Sequence, residues 1–240
     1  MRQHFLCRDN DGANMKRIVQ FAILFLTLNS YVSAEELSTV IDSLEQIHKQ
    51  AEAGDASAQT RLGELYANGV GVSIDADKSV EWYRKAAAKG YPEAQYQLGA
   101  MYGSGEAVTS VNKDPRKAAE WYQKAAAQGH PKAEFELGSM HLKGEGVTRD
   151  ATMAVEWFKK AAAQGHAQAQ SELGWMYQNG KGVTRDSVLA YAWHDLAAAH
   201  GNDNAKKLRD LTSLNYAQRA EAKELSANWK LGQVLSRKLN

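Results

Sequence analysis

Ser110 and Lys113 form the sequence pattern with the clearest chemical meaning in this chain. Ser-x-x-Lys is the nucleophile motif of penicillin-binding enzymes and β-lactamases, in which it works together with Ser-Asp-Asn and Lys-Thr-Gly motifs. Neither companion motif occurs in these 240 residues. We therefore interpret Ser110 as a chance match, and keep a β-lactamase-like cell-wall hydrolase only as an alternative function.

Acidic residues precede a tryptophan at Glu81, Glu120 and Glu156. Paired carboxylates catalyse when their pKa values are pushed apart, but a row spaced by one repeat on a solvated face predicts ordinary surface charge.

Gly-x-Gly sequences at residues 69–71, 144–146 and 180–182 could be mistaken for phosphate-binding loops. Such loops follow a strand and open a helix, whereas these follow a predicted helix and are interpreted as helix ends.

Metal-ligating residues do not cluster in the sequence. No two of the 7 histidines are four residues apart, and the single cysteine is Cys7. Zinc sites are typically built from closely spaced His and Cys residues. We therefore predict no metal, no cofactor and no catalytic residue, and do not expect this protein to be an enzyme.

The elements that position all these residues are copies of one unit. A Leu-Gly pair recurs at residues 62–63, 98–99, 137–138 and 173–174, at intervals of 36, 39 and 36 residues. Each copy contains a run with helical periodicity, a glycine turn and a second run with an aromatic pair followed by alanines. A repeat of this length predicts an all-α fold, an α/α superhelical solenoid of helical-hairpin repeats.

Individual positions within the unit have predicted structural roles. A buried helical stripe is expected at Ala58, Ala94, Ala133, Ala169, Leu62, Leu98, Leu137 and Leu173. Helix caps are expected at Asp75, Asp114, Asp150 and Asp186, and first-turn prolines at Pro92, Pro115 and Pro131.

Two further positions are predicted to hold the hairpins together. A glycine inside a helix costs about 1 kcal/mol, so we expect Gly63, Gly99, Gly138 and Gly174 to allow close approach of a neighbouring helix backbone. Tryptophans at the start of the aromatic pairs are predicted to be core residues: Trp82, Trp121, Trp157 and Trp193.

The N-terminal segment has the pattern of a secretory signal peptide. Lys16-Arg17 precedes an apolar run over residues 18–28, and Val32-Ser33-Ala34 places small residues at a cleavage site after Ala34. The run is too short to favour a membrane span, although an uncleaved anchor is the alternative. We expect Met15 to be the true start, with Met1 and a longer charged leader as the alternative.

The resulting division of the chain is as follows. Residues 1–14 are an upstream extension, untranslated or disordered, and residues 15–34 the signal peptide; residues 35–54 are an N-terminal capping helix. Residues 55–90, 91–129, 130–165 and 166–201 are four repeats, and residues 202–240 are C-terminal capping helices.

The mature chain has no cysteine, which excludes disulfides and lipid attachment at cysteine. The localisation predicted is periplasmic or secreted.

Charge argues against a nucleic-acid partner. The first 34 residues hold four basic and two acidic residues, which leaves 25 basic and 26 acidic residues in the mature chain. A near-neutral chain lacks the basic surface of a nucleic-acid binder. Membrane contact is expected only through the signal peptide before cleavage.

Residues 169–183 of the fourth unit have the sequence AQSELGWMYQNGKGV, and Asp186 follows. This pattern is similar to the Sel-one-like repeat (SLR) family, whose members are relatives of the tetratricopeptide repeats. The resemblance extends over roughly residues 35–229. It implies an α/α superhelix that serves as an adaptor, and exported bacterial relatives are associated with protein–protein contacts in the cell envelope. One branch, with a cysteine pair in each repeat, is linked to penicillin binding and β-lactamase activity; this chain lacks those pairs.

A partner-binding surface is expected where one repeat departs from the others. Ten residues after each unit's glycine stand Glu64, Ala100, Ser139 and Trp175. Aromatic residues dominate binding hot spots, so Trp175 is the predicted anchor, with packing against the C-terminal cap as the alternative. The same groove is expected to be lined by Arg61, Gln97, Glu136 and Glu172.

The sequence thus predicts an exported, non-catalytic scaffold or adaptor of the bacterial cell envelope that binds a protein or peptide. A glycan-binding protein is a further alternative, favoured if several aromatic rings are exposed along one groove.

Overall fold

The structure, a computed structural model, describes residues 34–105 and 111–237, with side chains from residue 43 onward. In these ranges the chain forms eleven α-helices and no β-strand, which confirms the all-α solenoid prediction. The helices are α1 Ala34–Glu52, α2 Ala56–Asn68, α3 Ala76–Ala88, α4 Pro92–Ser104, α5 Pro115–Ala126, α6 Pro131–Lys143, α7 Ala151–Ala163, α8 Ala167–Asn179, α9 Ser187–Ala199, α10 Asp203–Leu211 and α11 Tyr216–Ala227.

Some sequence predictions lie outside the described residues and stay predictions. They concern the upstream extension, the signal peptide up to residue 33, and Ser110. No helix in the described part of the chain is long and apolar enough to cross a membrane.

Contacts divide the chain into two compact units. Among the described residues, the first unit comprises residues 34–91, and the second comprises residues 92–105 and 111–237. Helices α1 to α3 pack in sequence in the first unit. In the second unit, each of α4 to α9 packs against the next helix, and α9 also packs against α11.

The second helix of every repeat begins at its predicted aspartate. Asp75, Asp114, Asp150 and Asp186 each accept a hydrogen bond from a backbone N–H in the first turn of α3, α5, α7 and α9. These bonds satisfy donors that have no partner inside the helix. Pro92, Pro115 and Pro131 are the first residues of their helices, as predicted.

Glycines end the first helices by adopting a left-handed backbone conformation. Gly144 closes α6 at φ 80° and donates its N–H to the Met140 carbonyl; Gly180 closes α8 at φ 64° in the same way. Residues with a side chain rarely adopt this conformation, so glycine ends the helix at low cost. This confirms the interpretation of the Gly-x-Gly sequences as helix ends.

The predicted alanine and leucine stripes form the core. Leu98, Leu137 and Leu173 are completely buried in the first helices of the second unit, and Leu62 is 2% exposed in the first unit. Because the alanines four residues earlier are also buried, the second helix packs closely onto the first.

The helical glycines face an aromatic ring, not the neighbouring backbone that we predicted. A Cβ atom at Gly138 would lie 2.6 Å from the Phe158 ring. The same arrangement pairs Gly63 with Tyr83, Gly99 with Tyr122 and Gly174 with His194. The missing side chain therefore makes room for the second ring of each aromatic pair.

The prediction that all four tryptophans are core residues is wrong for three of them. Trp193 is completely buried, but Trp82, Trp121 and Trp157 are only partly buried. The buried member of each pair is the following residue, which fills the space beside the glycine. Each partly buried tryptophan carries a lysine over its ring, three residues later, at 3.8, 3.9 and 4.0 Å from the ring centroid.

Helices α10 and α11 close the end of the second unit. Asp195 on α9 binds Arg209 of α10 at 2.8 Å and accepts a hydrogen bond from Ser226 of α11 at 2.7 Å. The segment after α11 returns to the third repeat, where Gly232 donates its N–H to the Ala163 carbonyl at 2.7 Å.

Candidate functional site

The candidate site is a row of side chains on the first helices of the second unit, which we call the first-helix stripe. Its members lie 7, 10 and 14 residues after each repeat's glycine, a spacing that places them on one helix face. They are Gln97, Ala100 and Ser104 on α4, Glu136, Ser139 and Lys143 on α6, and Glu172, Trp175 and Asn179 on α8. None is fully buried, because the Ala and Leu stripe of the same helices fills the core.

Trp175 is the exposed aromatic residue of the first-helix stripe. Its side chain is 39% exposed, whereas Trp193 on the next helix is completely buried. The tryptophan that packs onto the core cluster at the C-terminal cap is Trp229. No lysine or arginine in the described part of the chain lies over the Trp175 ring, in contrast to the lysine-covered tryptophans of the second helices. Its role as an anchor stays a prediction.

Glu136 and Glu172 are two partly buried carboxylates in equivalent positions of neighbouring repeats. Within the described residues, neither has a hydrogen bond or ion pair. Burial raises the pKa of both Glu136 and Glu172, and the positive charge of Lys143 partly opposes this shift for each of them. A donor or a cation from a partner would therefore stabilise the ionised form of both carboxylates.

Gln97 is held in place within its own helix. Its Nε2 donates to Glu93 Oε1 at 2.8 Å, while the other Glu93 oxygen lies 2.9 Å from His130 Nε2. The hydrogen bond from His130 lowers the pKa of Glu93, although burial opposes this. Gln97 is thus a fixed polar group at one end of the stripe.

Arg61 lies in the first unit, on α2. Its guanidinium is exposed and pairs with Glu64 at 3.0 Å, one turn further along the same helix. Arg61 holds the same repeat position as Gln97, Glu136 and Glu172, but it lies in the first unit. Its place in the predicted groove stays a prediction.

Histidines after the repeat glycine have a role that the sequence analysis did not assign. His130 and His166 are the N-caps of α6 and α8, and each accepts the third backbone N–H of its helix at Nδ1. Each ring also stacks on an aromatic residue of the preceding repeat: His130 on Tyr96 and His166 on Phe135, at centroid distances of 5.0 and 4.8 Å. The signal for this role was present, because Asp55 and Asn202 occupy the corresponding positions as ordinary caps.

Tyr96 and Phe135 lie between helices. Besides stacking on the histidine of the next repeat, Tyr96 contacts the Tyr122 ring at 5.8 Å and Phe135 the Phe158 ring at 5.6 Å. Aromatic contacts between consecutive repeats therefore hold in position the helices that carry the first-helix stripe.

His194 is the one completely buried histidine of the second helices. It is 0% exposed, neither ring nitrogen has a hydrogen-bond partner, and its ring lies against Gly174. Burial lowers the pKa of His194 to about 4. A neutral, enclosed imidazole replaces the Tyr or Phe ring of the other repeats, which favours a packing role.

Metal binding finds no support in the arrangement of the described side chains: within residues 34–105 and 111–237, no three or more His, Cys, Asp or Glu residues lie close enough to hold an ion.

Stacked helical hairpins and a solvent-facing row of first-helix residues define an α/α repeat protein. A family description, Sel1 repeat, matches residues 56–91, 92–130, 131–166 and 167–202. The chain belongs to the Sel1 repeat family, as the sequence resemblance predicted. Proteins built from Sel1 repeats generally mediate protein–protein interactions.

Solved structures agree with this assignment. A Sel1 repeat protein from Oxalobacter formigenes is 30% identical, with 71% of each chain covered and a TM-score of 0.63. A protective antigen present in uropathogenic Escherichia coli strains, which displays an SLR fold, is 32% identical, with 82% of this chain and 49% of the other covered and a TM-score of 0.54. This chain therefore spans about half the length of the E. coli protein. Among curated proteins, no match was found.

Proposed function

We propose that this protein is an exported, non-catalytic adaptor of the bacterial cell envelope that binds a protein partner through its first-helix stripe. The observation that carries the proposal is that one stripe holds the exposed ring of Trp175 and two partly buried carboxylates, Glu136 and Glu172, which have no hydrogen-bond or ion-pair partner among the described residues. An exposed aromatic ring supplies contact area, and the carboxylates supply directional acceptors for the partner's donors.

Variation between repeats supports the position of the binding site. Where α8 has Trp175, α4 has Ala100 and α6 has Ser139. Solenoid proteins bind partners along an extended surface made by successive repeats. Ala100 and Ser139, at the equivalent positions of the two preceding repeats, are small and do not obstruct an extended segment of a partner that is anchored at Trp175.

Carboxylates at Glu136 and Glu172 favour a partner segment with N–H donors or a positive charge. Lys143 lies close enough to lower the pKa of both glutamates, so the stripe is not uniformly acidic. The partner segment expected is therefore mixed in sequence, with an apolar or cationic residue over Trp175 and donors toward the two glutamates.

Site-specific photocrosslinking tests this proposal. A photoreactive amino acid replaces Trp175 in cells that make the full chain, and the matched control places it at Tyr216, which is 91% exposed on α11. The proposal predicts one dominant protein adduct from position 175 and none of that species from position 216. No adduct from position 175, or the same adducts from both positions, would count against the proposal.

Export is the second part of the proposal and has its own test. It is supported by the basic start, the short apolar run and the small residues before Glu35 in the sequence. Expression from Met15, cell fractionation and N-terminal sequencing are expected to give a periplasmic or secreted protein that begins at Glu35. A cytoplasmic protein that retains residues 15–34 would contradict export.

A further inference from the structure

Glycine turns in the second unit make a repeated contact with the preceding repeat. Gly146, in the turn after α6, lies so close to the start of α5 that a Cβ atom there would overlap the carbonyl of Pro115. Gly182, in the turn after α8, lies in the same way on Ala151 at the start of α7. In both cases the contact is between backbones, and only glycine permits it.

We call the surface that receives such a turn the turn seat. In the third repeat we define it as residues 147–152, and Gly182 of the fourth repeat contacts the backbone of its last two residues, Ala151 and Thr152. The fourth repeat contains a second copy of the same surface at residues 183–188. The sequence Val-Thr-Arg-Asp is identical in the two copies, and Ala151-Thr152 is replaced by the similarly sized pair Ser187-Val188.

None of the glycine turns within residues 34–105 and 111–237 covers the seat of the fourth repeat. The connection between α10 and α11, residues 212–215, contains no glycine. An open cavity of about 480 Å³ lies at the start of α9, and its lining includes Thr184, Ser187 and Val188 together with Gln218 and Arg237. Arg237 is fixed by Glu221, whose Oε2 lies 2.8 Å from Nη2, and its Nη1 lies 3.4 Å from Asp186.

No Gly-x-Gly turn in the described part of this chain is free to enter this cavity. The three described Gly-x-Gly turns are already in contact with their own chain, since Gly71 lies against Leu44 of α1 and the other two occupy the seats described above. A turn that matched the intramolecular contacts would need glycine at its third position, which corresponds to Gly146 and Gly182, for the same steric reason.

We propose that the turn seat of the fourth repeat is a docking site for a Gly-Xaa-Gly turn of a partner protein. The surface is a continuation of a contact that this chain makes twice within itself, at Pro115 and at Ala151. This site is separate from the first-helix stripe and does not depend on the role of Trp175.

The test uses a cyclic peptide that carries the sequence of residues 177–186, added to the ¹⁵N-labelled chain. The expected result is a saturable shift of the backbone amide resonances of Thr184 and Ser187. The matched control peptide has alanine for the second glycine of the turn. It should bind at least tenfold more weakly, because its Cβ would overlap the carbonyl of the helix start, as at Gly182.

A protein variant provides a second control. Ser187→Trp should fill the seat and abolish the shifts, whereas Ser213→Trp, on an exposed position of the α10–α11 connection, should bind the peptide as the unchanged chain does. The comparison of the two peptides stands even if Ser187→Trp fails to fold.

Three results would overturn the proposal. They are no shift at Thr184 or Ser187 at millimolar peptide, equal binding of the two peptides, and binding that occurs only after residues 238–240 are removed. In the last case the chain's own C-terminal residues are the occupant.

Discussion

At the scale of single residues, the packing of each repeat depends on a glycine and an aromatic ring. Gly138 leaves the space that the Phe158 ring fills, and the same pair recurs as Gly63 with Tyr83 and Gly99 with Tyr122. The repetition of the glycine was evident in the sequence, but its contact was not. A missing side chain indicates close approach without identifying which group approaches.

Gly138→Ala tests this pairing. The new Cβ would lie 2.6 Å from a completely buried ring. Overpacking typically costs about 1–3 kcal/mol, and the better helix propensity of alanine offsets up to about 1 kcal/mol of that. We expect a net loss of about 1–2 kcal/mol in the free energy of unfolding, measured by chemical denaturation.

The control for Gly138→Ala is the same substitution in a Phe158→Leu background. There the new Cβ should cost less, because the ring it would meet is absent. Additive effects of the two changes would show that the glycine does not act through Phe158.

His194 gives the protein a pH dependence with a definite sign. Its pKa is lowered from 6.5 to about 4 in the folded chain, so the unfolded state binds more protons between these values. The neutral ring therefore contributes to the free energy of unfolding above pH 6.5, and this contribution is lost as the pH falls towards 4. The total loss in the free energy of unfolding is about 3 kcal/mol.

His194→Phe, which copies Phe158 of the third repeat, should remove this contribution. Denaturation at several pH values between 7 and 4 is expected to show a smaller loss of stability in the variant than in the unchanged chain. The two chains would have parallel pH profiles if His194 titrated normally. Changes in carboxylate ionisation affect both chains and cancel in the comparison.

At the scale of helices, caps and turns set the boundaries. Asp150 Oδ1 accepts the N–H groups of Thr152 and Met153 at 2.9 and 3.0 Å, and thereby starts α7. The four cap aspartates could be predicted because their chemistry is local. The histidine caps His130 and His166 could not be assigned from their type alone, since histidine rarely serves as a cap. Their position after the repeat glycine was the available signal.

Asp150→Ala should destabilise the chain by about 1 kcal/mol, because two backbone donors in the first turn of α7 lose their acceptor. Asp150→Asn keeps an acceptor oxygen at the same place and should cost only a few tenths of that. The measurement is the free energy of unfolding from urea denaturation of both variants. Equal stability of the two would contradict a capping role.

At the scale of the whole molecule, the repeat period alone predicts the fold class. In a stack of repeats each unit contacts mainly its neighbours, so the same residue types recur at the same position of every unit. The regular Leu-Gly interval and the alanine stripe therefore identify helical hairpins. The burial of Trp82, Trp121 and Trp157 was predicted incorrectly, since a tryptophan followed by an aromatic residue does not reveal which ring faces the core. The lysine three residues later was the sign of a partly exposed ring.

The candidate site was less predictable than the fold. Trp175 was selected because one repeat departs from the others, and the structure gives it 39% exposure. The unpaired state of Glu136 and Glu172 depends on which cations of neighbouring helices reach them, and sequence spacing does not contain that information. The identity of the partner could not be predicted, because the partner's own binding surface is not encoded in this chain.

The central claim is that Trp175 anchors a protein partner, and the most direct test is the affinity of that partner for variants of the stripe. Using the partner identified by photocrosslinking, calorimetric titration should show at least a tenfold loss of affinity for Trp175→Ala, which corresponds to about 1.4 kcal/mol or more. Tyr216→Ala, at an exposed aromatic outside the stripe, should bind normally, and both variants should keep the helicity of the unchanged chain. Unchanged affinity of folded Trp175→Ala would contradict the claim.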